Sequence, residues 1–311
     1  MLINRIARAL TVFMFRVTYK QFLKNPARQK SMKAQILLRK AFLASRGQIL
    51  NWAHNKHKEQ FPYKNKSEYP TQFFSSLGDE AICEAVYLLK ERGWWTSPVR
   101  LPEDWIEAVS KQLLDKHVTG RRNPNDIQVA NALSPNESTY WYESKDLEDI
   151  PEIRALINDQ FIREIIARYL ETQPVYDFSA AWWSYPNDSG PDSAAAQLYH
   201  YDLDRIRWLK VFVYLTDVRQ ENGPHCFIEG SHNSIGSKLS QDRRFQDYEV
   251  FEFYSNDCEK SFVGPRGTVF IEDTLGFHKG KSVVSESRLV FEFQCSISHF
   301  GYPNCKPAYE F

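Results

Sequence analysis

The spacing of apolar positions changes after Leu170. Upstream, hydrophobic residues recur at three- and four-residue steps, the period of a helix with one buried face. Residues 36–54, 79–92, 102–117 and 152–171 read as helices. The second follows Gly78-Asp79, an N-cap signal, and would bury Ile82, Ala85, Val86 and Leu89. The third opens with Pro102-Glu103-Asp104, which sets acids at the positive end of the helix dipole. An earlier stripe, Ile3, Ile6, Leu10, Phe13 and Val17, marks one more helix, with Arg5, Arg8, Arg16 and Lys20 largely off the stripe. Gly120 to Asn136 is rich in Pro and Asn and reads as loop with room for one short strand.

Downstream, Tyr176–Ser184, Gln197–Asp202, Arg207–Thr216, His225–Glu229, Gly267–Ile271 and Arg288–Ser296 read as strands, with a turn at Glu221-Asn222-Gly223-Pro224. Short strands broken by Gly, Pro and Asn predict a sandwich or barrel rather than a parallel sheet with crossover helices. In Lys210–Thr216, Val211, Val213 and Leu215 form a face suited to packing on helices. Lys210, Phe212, Tyr214 and Thr216 form the face that would line the interior. The expected fold is mainly β with flanking helices, preceded by a helical N-terminal region. The expected organisation is a basic, partly amphipathic helical arm over 1–58 and one domain over 59–311. That domain divides into a helical part, 59–172, and a β core, 173–300.

Composition narrows the class. With 14% aromatic residues and 42% hydrophobic, the chain is not disordered, and 13 Gly with 15 Pro exclude collagen-like and low-complexity classes. Ala9–Phe15 is far shorter than the ~20 apolar residues of a membrane span, and Arg16 follows it without a cleavage signal. Five cysteines (Cys83, Cys226, Cys258, Cys295, Cys305) without a C-x-x-C pair read as reduced thiols of a cytoplasmic protein. The net charge of zero hides an asymmetry. Residues 1–58 hold thirteen Lys or Arg and no Asp or Glu; the remainder holds 26 basic and 39 acidic residues. Such an arm could dock on the acidic body or lie on an anionic membrane surface as a peripheral attachment. Nucleic acid is the weaker partner.

One constellation carries chemistry. His200-Tyr201-Asp202 closes a predicted strand, where residues i and i+2 share a face. His278, in Asp273-Thr-Leu-Gly-Phe-His278, is the best third ligand. Two imidazoles and a carboxylate leave coordination positions open, as non-haem Fe(II) requires, although zinc accepts the same donors. Arg288 follows ten residues later. Its planar guanidinium matches the far carboxylate of a five-carbon diacid that chelates iron through its 2-oxo acid end. Lys210 is costly to bury unpaired; a cosubstrate or substrate carboxylate, or a structural Asp, would satisfy it. Asp204, Arg205 and Arg207 read as a solvated charged loop over the mouth, with substrate contact as the other reading. His232 reads as a turn residue, and His225 is open between structure and substrate. His54, His57, His117 and His299 have no identifiable partner. One of Trp182 and Trp183 must face inward by alternation. Nucleotide-loop and hydrolase-elbow motifs are absent.

His200-x-Asp202, Asn222-Gly223-Pro224 leading to Gly230-Ser231-His232, Gly267-Thr268-Val269-Phe270, His278 and Arg288 together resemble the phytanoyl-CoA dioxygenase family. The resemblance spans roughly residues 175 to 298. It implies a double-stranded β-helix, or jelly roll, of the Fe(II)/2-oxoglutarate-dependent oxygenases. It implies His200, Asp202 and His278 as iron ligands, Arg288 as the 2-oxoglutarate anchor, and O2 as the second cosubstrate. Phe212 falls where an aromatic packs near the cosubstrate in that family. The activity implied is hydroxylation of an unidentified small or medium organic substrate, releasing succinate and CO2. Related halogenating enzymes have a small residue where Asp202 stands. The competing readings are a cupin-like metal enzyme that ignores 2-oxoglutarate and a catalytically silent jelly roll used as a binding or membrane-associated scaffold.

Overall fold

Three helices open the chain: α1 (Leu2–Lys24), α2 (Met32–Ser45) and α3 (Gln48–Gln60). The computed structural model describes residues 2–26, 32–64, 71–187, 190–236 and 238–302; Cys305 and the side chain of Ile3 lie outside what is described. Phe15, Tyr19 and Phe22 of α1 are buried, stacked along the helix and edge-on to Phe300. The aliphatic stripe read from the sequence faces outward: Leu10 is 55% and Phe13 63% exposed. Large aromatic side chains bury the most area, so they set which face turns inward. These helices share one continuous core with the rest of the chain. The helix expected over 36–54 breaks at Arg46 and Gly47, whose φ angles are +53° and +83°, a region only glycine adopts readily.

Next come α4 (Asp79–Arg92), β1 (Trp94–Thr96), α5 (Glu103–Leu114), β2 (His117–Gly120), β3 (Ile127–Val129), β4 (Thr139–Tyr142), α6 (Ser144–Glu148), α7 (Pro151–Ile157) and α8 (Gln160–Leu170). The helix expected over 152–171 is thus two. Asp159 leaves helical conformation to cap α8 through the Phe161 N–H. Its carboxylate also accepts the N–H groups of Gln72 and Phe73 and the hydroxyl of Thr71.

The remaining elements are β5 (Val175–Ser184), β6 (Trp208–Tyr214), β7 (His225–Ile228), α9 (Asp247–Phe251), β8 (Glu259–Phe262), β9 (Val269–Glu272), β10 (His278–Gly280) and β11 (Arg288–Ser296). They build an antiparallel eight-stranded sheet, β1-β9-β6-β11-β5-β4-β2-β3, facing a three-stranded one, β10-β7-β8. The fold is a double-stranded β-helix with flanking helices. Val211 and Val213 join the core shared with the helices; Phe212 and Tyr214 join Phe227, Phe262 and Phe270 between the sheets. Gln197–Asp202 is not a strand. It makes two single bridges, Tyr199 to Phe245 and His200 to His278, before Asp202 turns its N–H to Thr274 O.

The charged segment after Asp202 is not a solvated loop. Arg205 is buried, with Nε 3.1 Å from Asp177 and its guanidinium 4.0 Å over the Tyr302 ring. Arg207 donates to Asp273 and Asn51. Three of the histidines without assigned partners have them: His54 meets Leu170 O, His57 meets Tyr19 Oη, and His299 meets Tyr176 O. His232 meets Lys90 O, between α4 and the turn after β7. The described cysteines are unpaired. Among the described residues, no helix is long and apolar enough to cross a membrane.

Candidate active site

His200, Asp202 and His278 converge at one mouth of the roll, with a ligand atom of each within 4.8 Å of the others. The His200–His278 bridge sets this, because directly opposed residues of an antiparallel pair present the same face. His200 Nε2 lies 3.9 Å from Asp202 Oδ1, and His278 Nε2 lies 3.7 Å from Asp202 Oδ2. Each imidazole donates its Nδ1 proton to a carbonyl: His200 to Leu198 O at 3.0 Å, His278 to Gly276 O at 2.9 Å. That fixes the tautomer, so both Nε2 lone pairs point at the shared space. Burial holds both rings neutral, with His278 lowered to about 4. Burial alone would push Asp202 up, but Lys210 and the two histidines outweigh it and hold the carboxyl ionised. Two neutral imidazoles and one carboxylate are a donor set that fits a divalent transition metal.

Lys210 Nζ sits 3.0 Å from Asp202 Oδ2, in ion-pair range but without hydrogen-bond alignment, and 3.6 Å from Glu292 Oε1. Its neighbours across the sheet are Glu272 on β9 and Gln294 on β11. Burial would lower the ammonium's pKa, but Asp202 and Glu292 more than reverse that. Glu272 is buried against His225 Nε2 at 2.8 Å, and burial pushes it up to about 8. His225 is held neutral by burial and packs on Phe212, ring centroids 4.8 Å apart. Phe212 stacks on Phe270 at 4.9 Å and walls the same interior.

Arg288 opens β11 and is 4% exposed. Its Nη2 reaches Ser184 Oγ at 3.3 Å, while Nε and Nη1 have no hydrogen-bond partner among the described residues. Burial pulls its pKa down. A buried guanidinium with two free donors is a receptor for an anion. The register extends it: Arg288 is opposite Ser184, and Ser184 is opposite Thr139, whose buried hydroxyl is also unpartnered. A Cβ on Gly280 would come within 3.2 Å of Arg288 Nη2, so glycine there keeps the guanidinium clear. Ser184, Thr139, Glu272 and Glu292 escaped the sequence reading, because only strand register brings them to the site.

Residues 143–289 match the phytanoyl-CoA dioxygenase family, a span that takes in the triad, Lys210 and Arg288. That match covers just under half of the chain and supports a phytanoyl-CoA dioxygenase-like family. It supports an enzyme of the Fe(II)/2-oxoglutarate-dependent oxygenase superfamily, whose members use Fe(II), 2-oxoglutarate and O2. No curated protein matches the sequence. Among solved structures, EctD from S. alaskensis with bound Fe is similar over 76% of this chain and 86% of its own, at 16% identity and a TM-score of 0.52. The non-heme alpha ketoglutarate dependent epimerase SnoN from nogalamycin biosynthesis is similar over 70% of this chain and 84% of its own, at 13% identity and a TM-score of 0.50. Both likenesses are of fold.

Proposed function

We propose that this protein is an Fe(II)- and 2-oxoglutarate-dependent dioxygenase that hydroxylates a small or medium organic substrate and releases succinate and CO2. The observation that supports it best is the pairing of a tautomer-fixed His-Asp-His triad with a buried, half-unpartnered Arg288 in the same roll. His200, Asp202 and His278 would hold Fe(II) through Nε2, carboxylate and Nε2. Arg288, with Ser184 and Thr139, would bind the far carboxylate of 2-oxoglutarate. Bound there, Fe(II) and 2-oxoglutarate supply oxidation of a C–H bond by O2. Phe212, Phe270 and Phe262 exclude water from the interior, and Lys210 lends positive charge beside the metal position to a cosubstrate or substrate carboxylate. Asp202 occupies the position that halogenation would need vacant.

The test is anaerobic addition of Fe(II) and 2-oxoglutarate to the purified protein. The expected result is a weak visible charge-transfer band that His278→Ala abolishes. Iron binding without the band favours the cupin-like reading, and no binding of either favours a silent scaffold.

We also propose that α1 and α2 rest on an anionic membrane surface. The exposed face of α1 carries Ile6, Leu10, Phe13, Met14 and Val17, with Ile36 on α2. Arg5, Arg8, Arg16 and Lys20 are exposed around it, and residues 1–58 contain no acid. An apolar face flanked by basic residues complements an anionic lipid surface. Deleting the helices would uncover Phe300, so the variant of choice is Leu10→Asp/Phe13→Asp. It should lose sedimentation with phosphatidylserine-containing vesicles, and neither protein should sediment with pure phosphatidylcholine. Equal sedimentation of variant and wild type would refute this reading, and a switch from dimer to monomer would reassign the face to a second copy.

A further inference from the structure

Arg244 is unexplained by the site as described. It lies where the chain returns to the triad ahead of α9. Phe245 pairs antiparallel with Tyr199, its N–H 2.8 Å from Tyr199 O. That register sets Arg244 opposite His200, and opposed residues of an antiparallel pair share a face. Phe245 turns the other way, into Tyr201 and Phe277. The Arg244 side chain therefore shares the face of the His200 imidazole. Its Nη1 is sealed from solvent with no hydrogen-bond partner, and the guanidinium forms no ion pair among the described residues.

The acids nearby are already engaged. Asp202 belongs to the triad and faces Lys210. Asp204 accepts from Gln35 and Arg39, and Arg39 also grips Asp242 with two nitrogens. Asp202 and Asp204 attract the Arg244 charge from a distance, and Arg121 and Arg39 repel it. Arg121 lies 4.9 Å over the Trp141 ring, and Trp141 stacks on Trp182 at 4.6 Å. Trp182 packs against the cluster inside the roll. Arg121 itself is exposed and donates its Nε to Ala194 O at 3.1 Å. Arg288 is a separate receptor, at the Ser184 end of β11.

We propose that Arg244 binds an anionic group of the substrate, a carboxylate or a phosphate ester, and so aims the adjoining carbon chain at the metal. The proposal rests on the oxygenase reading for the role of the metal, and its test is separable from that reading.

Protein loaded with Mn(II) and 2-oxoglutarate, and metal-free protein in parallel, is titrated calorimetrically with hexanoate, hexyl phosphate, hexanol and hexylammonium. One or both anionic probes should bind at least about tenfold more tightly than the alcohol, the usual gain of a charge-assisted pair, and the stronger of the two identifies the group. Arg244→Gln should erase that preference, Arg244→Lys should keep part of it, and 2-oxoglutarate affinity should stay within about twofold, as for an independent site. Equal binding of anionic and neutral probes would overturn the proposal. So would a parallel loss of 2-oxoglutarate affinity in Arg244→Gln, which would make Arg244 a cosubstrate ligand. If Mn(II) and 2-oxoglutarate fail to bind while hexyl phosphate still binds through Arg244, the oxygenase reading falls and the anion subsite stands.

Discussion

Lys210 shows how a charge is kept inside a jelly roll. Its ammonium compensates Asp202 and Glu292 at once, at 3.0 and 3.6 Å. A divalent ion in the triad would take over Asp202 and repel the ammonium toward Glu292. Breaking a buried ion pair by removing one partner typically costs about 3–5 kcal/mol. Lys210→Met should therefore lower metal-free stability by about that amount. Added Mn(II) should restore more stability to the variant than to wild type, because it neutralises the abandoned Asp202 and no longer meets a cation. Urea unfolding of both proteins with and without Mn(II) measures this. An equal metal increment in the two would mean that Lys210 does not share Asp202 with the metal.

Among elements, the docking of α1 includes a titratable contact. His57 of α3 is 5% exposed, and its Nδ1 lies 3.1 Å from Tyr19 Oη. Burial lowers His57 to about 4, with His54 adding to the shift. The imidazole is neutral when folded and takes a proton at its ordinary value, 6.5, when unfolded. Its contribution is thus present above pH 6.5 and is lost as pH falls through about 4. The full difference is about 3 kcal/mol. The stability gap between wild type and His57→Gln should narrow by roughly that much between pH 7 and pH 4, read by denaturant unfolding. A gap independent of pH would show that His57 does not titrate with docking. The elements also show what was legible. The alternation of β6, the starts of α4 and α5, and the positions of β5, β7, β9 and β11 were readable from residue types. The breaks at Arg46-Gly47 and Asp159 were not, since one rests on backbone conformation and the other on capture of Asp159 by residues 71–73. Nor were β1, β2, β4, β8 and β10, which span three or four residues each and exist only through their partners. The triad and Arg288 were legible by spacing, whereas Thr139, Ser184 and Arg244 enter through register alone.

At the scale of the molecule, polar groups without protein partners concentrate between the two sheets. Thr96 and Thr139 hydroxyls, the Trp94 and Trp141 N–H groups, and two nitrogens of Arg288 are all buried there without a hydrogen-bond partner among the described residues. A fold that gives such groups no protein partner forgoes stability that a bound anion and metal would return. Ligand at a hundred times its dissociation constant adds about 2.7 kcal/mol, or roughly 5 °C in melting temperature for a chain of this size. Mn(II) should give one increment and 2-oxoglutarate a second that requires Mn(II), because the cosubstrate chelates the metal. Arg288→Ala should keep the first and lose most of the second, since the lost charged contact typically costs about 2–5 kcal/mol of binding. His278→Ala should lose both. Differential scanning fluorimetry across the three proteins decides it. Loss of the metal increment in Arg288→Ala would mean that Arg288 organises the whole roll and is not a dedicated anion receptor.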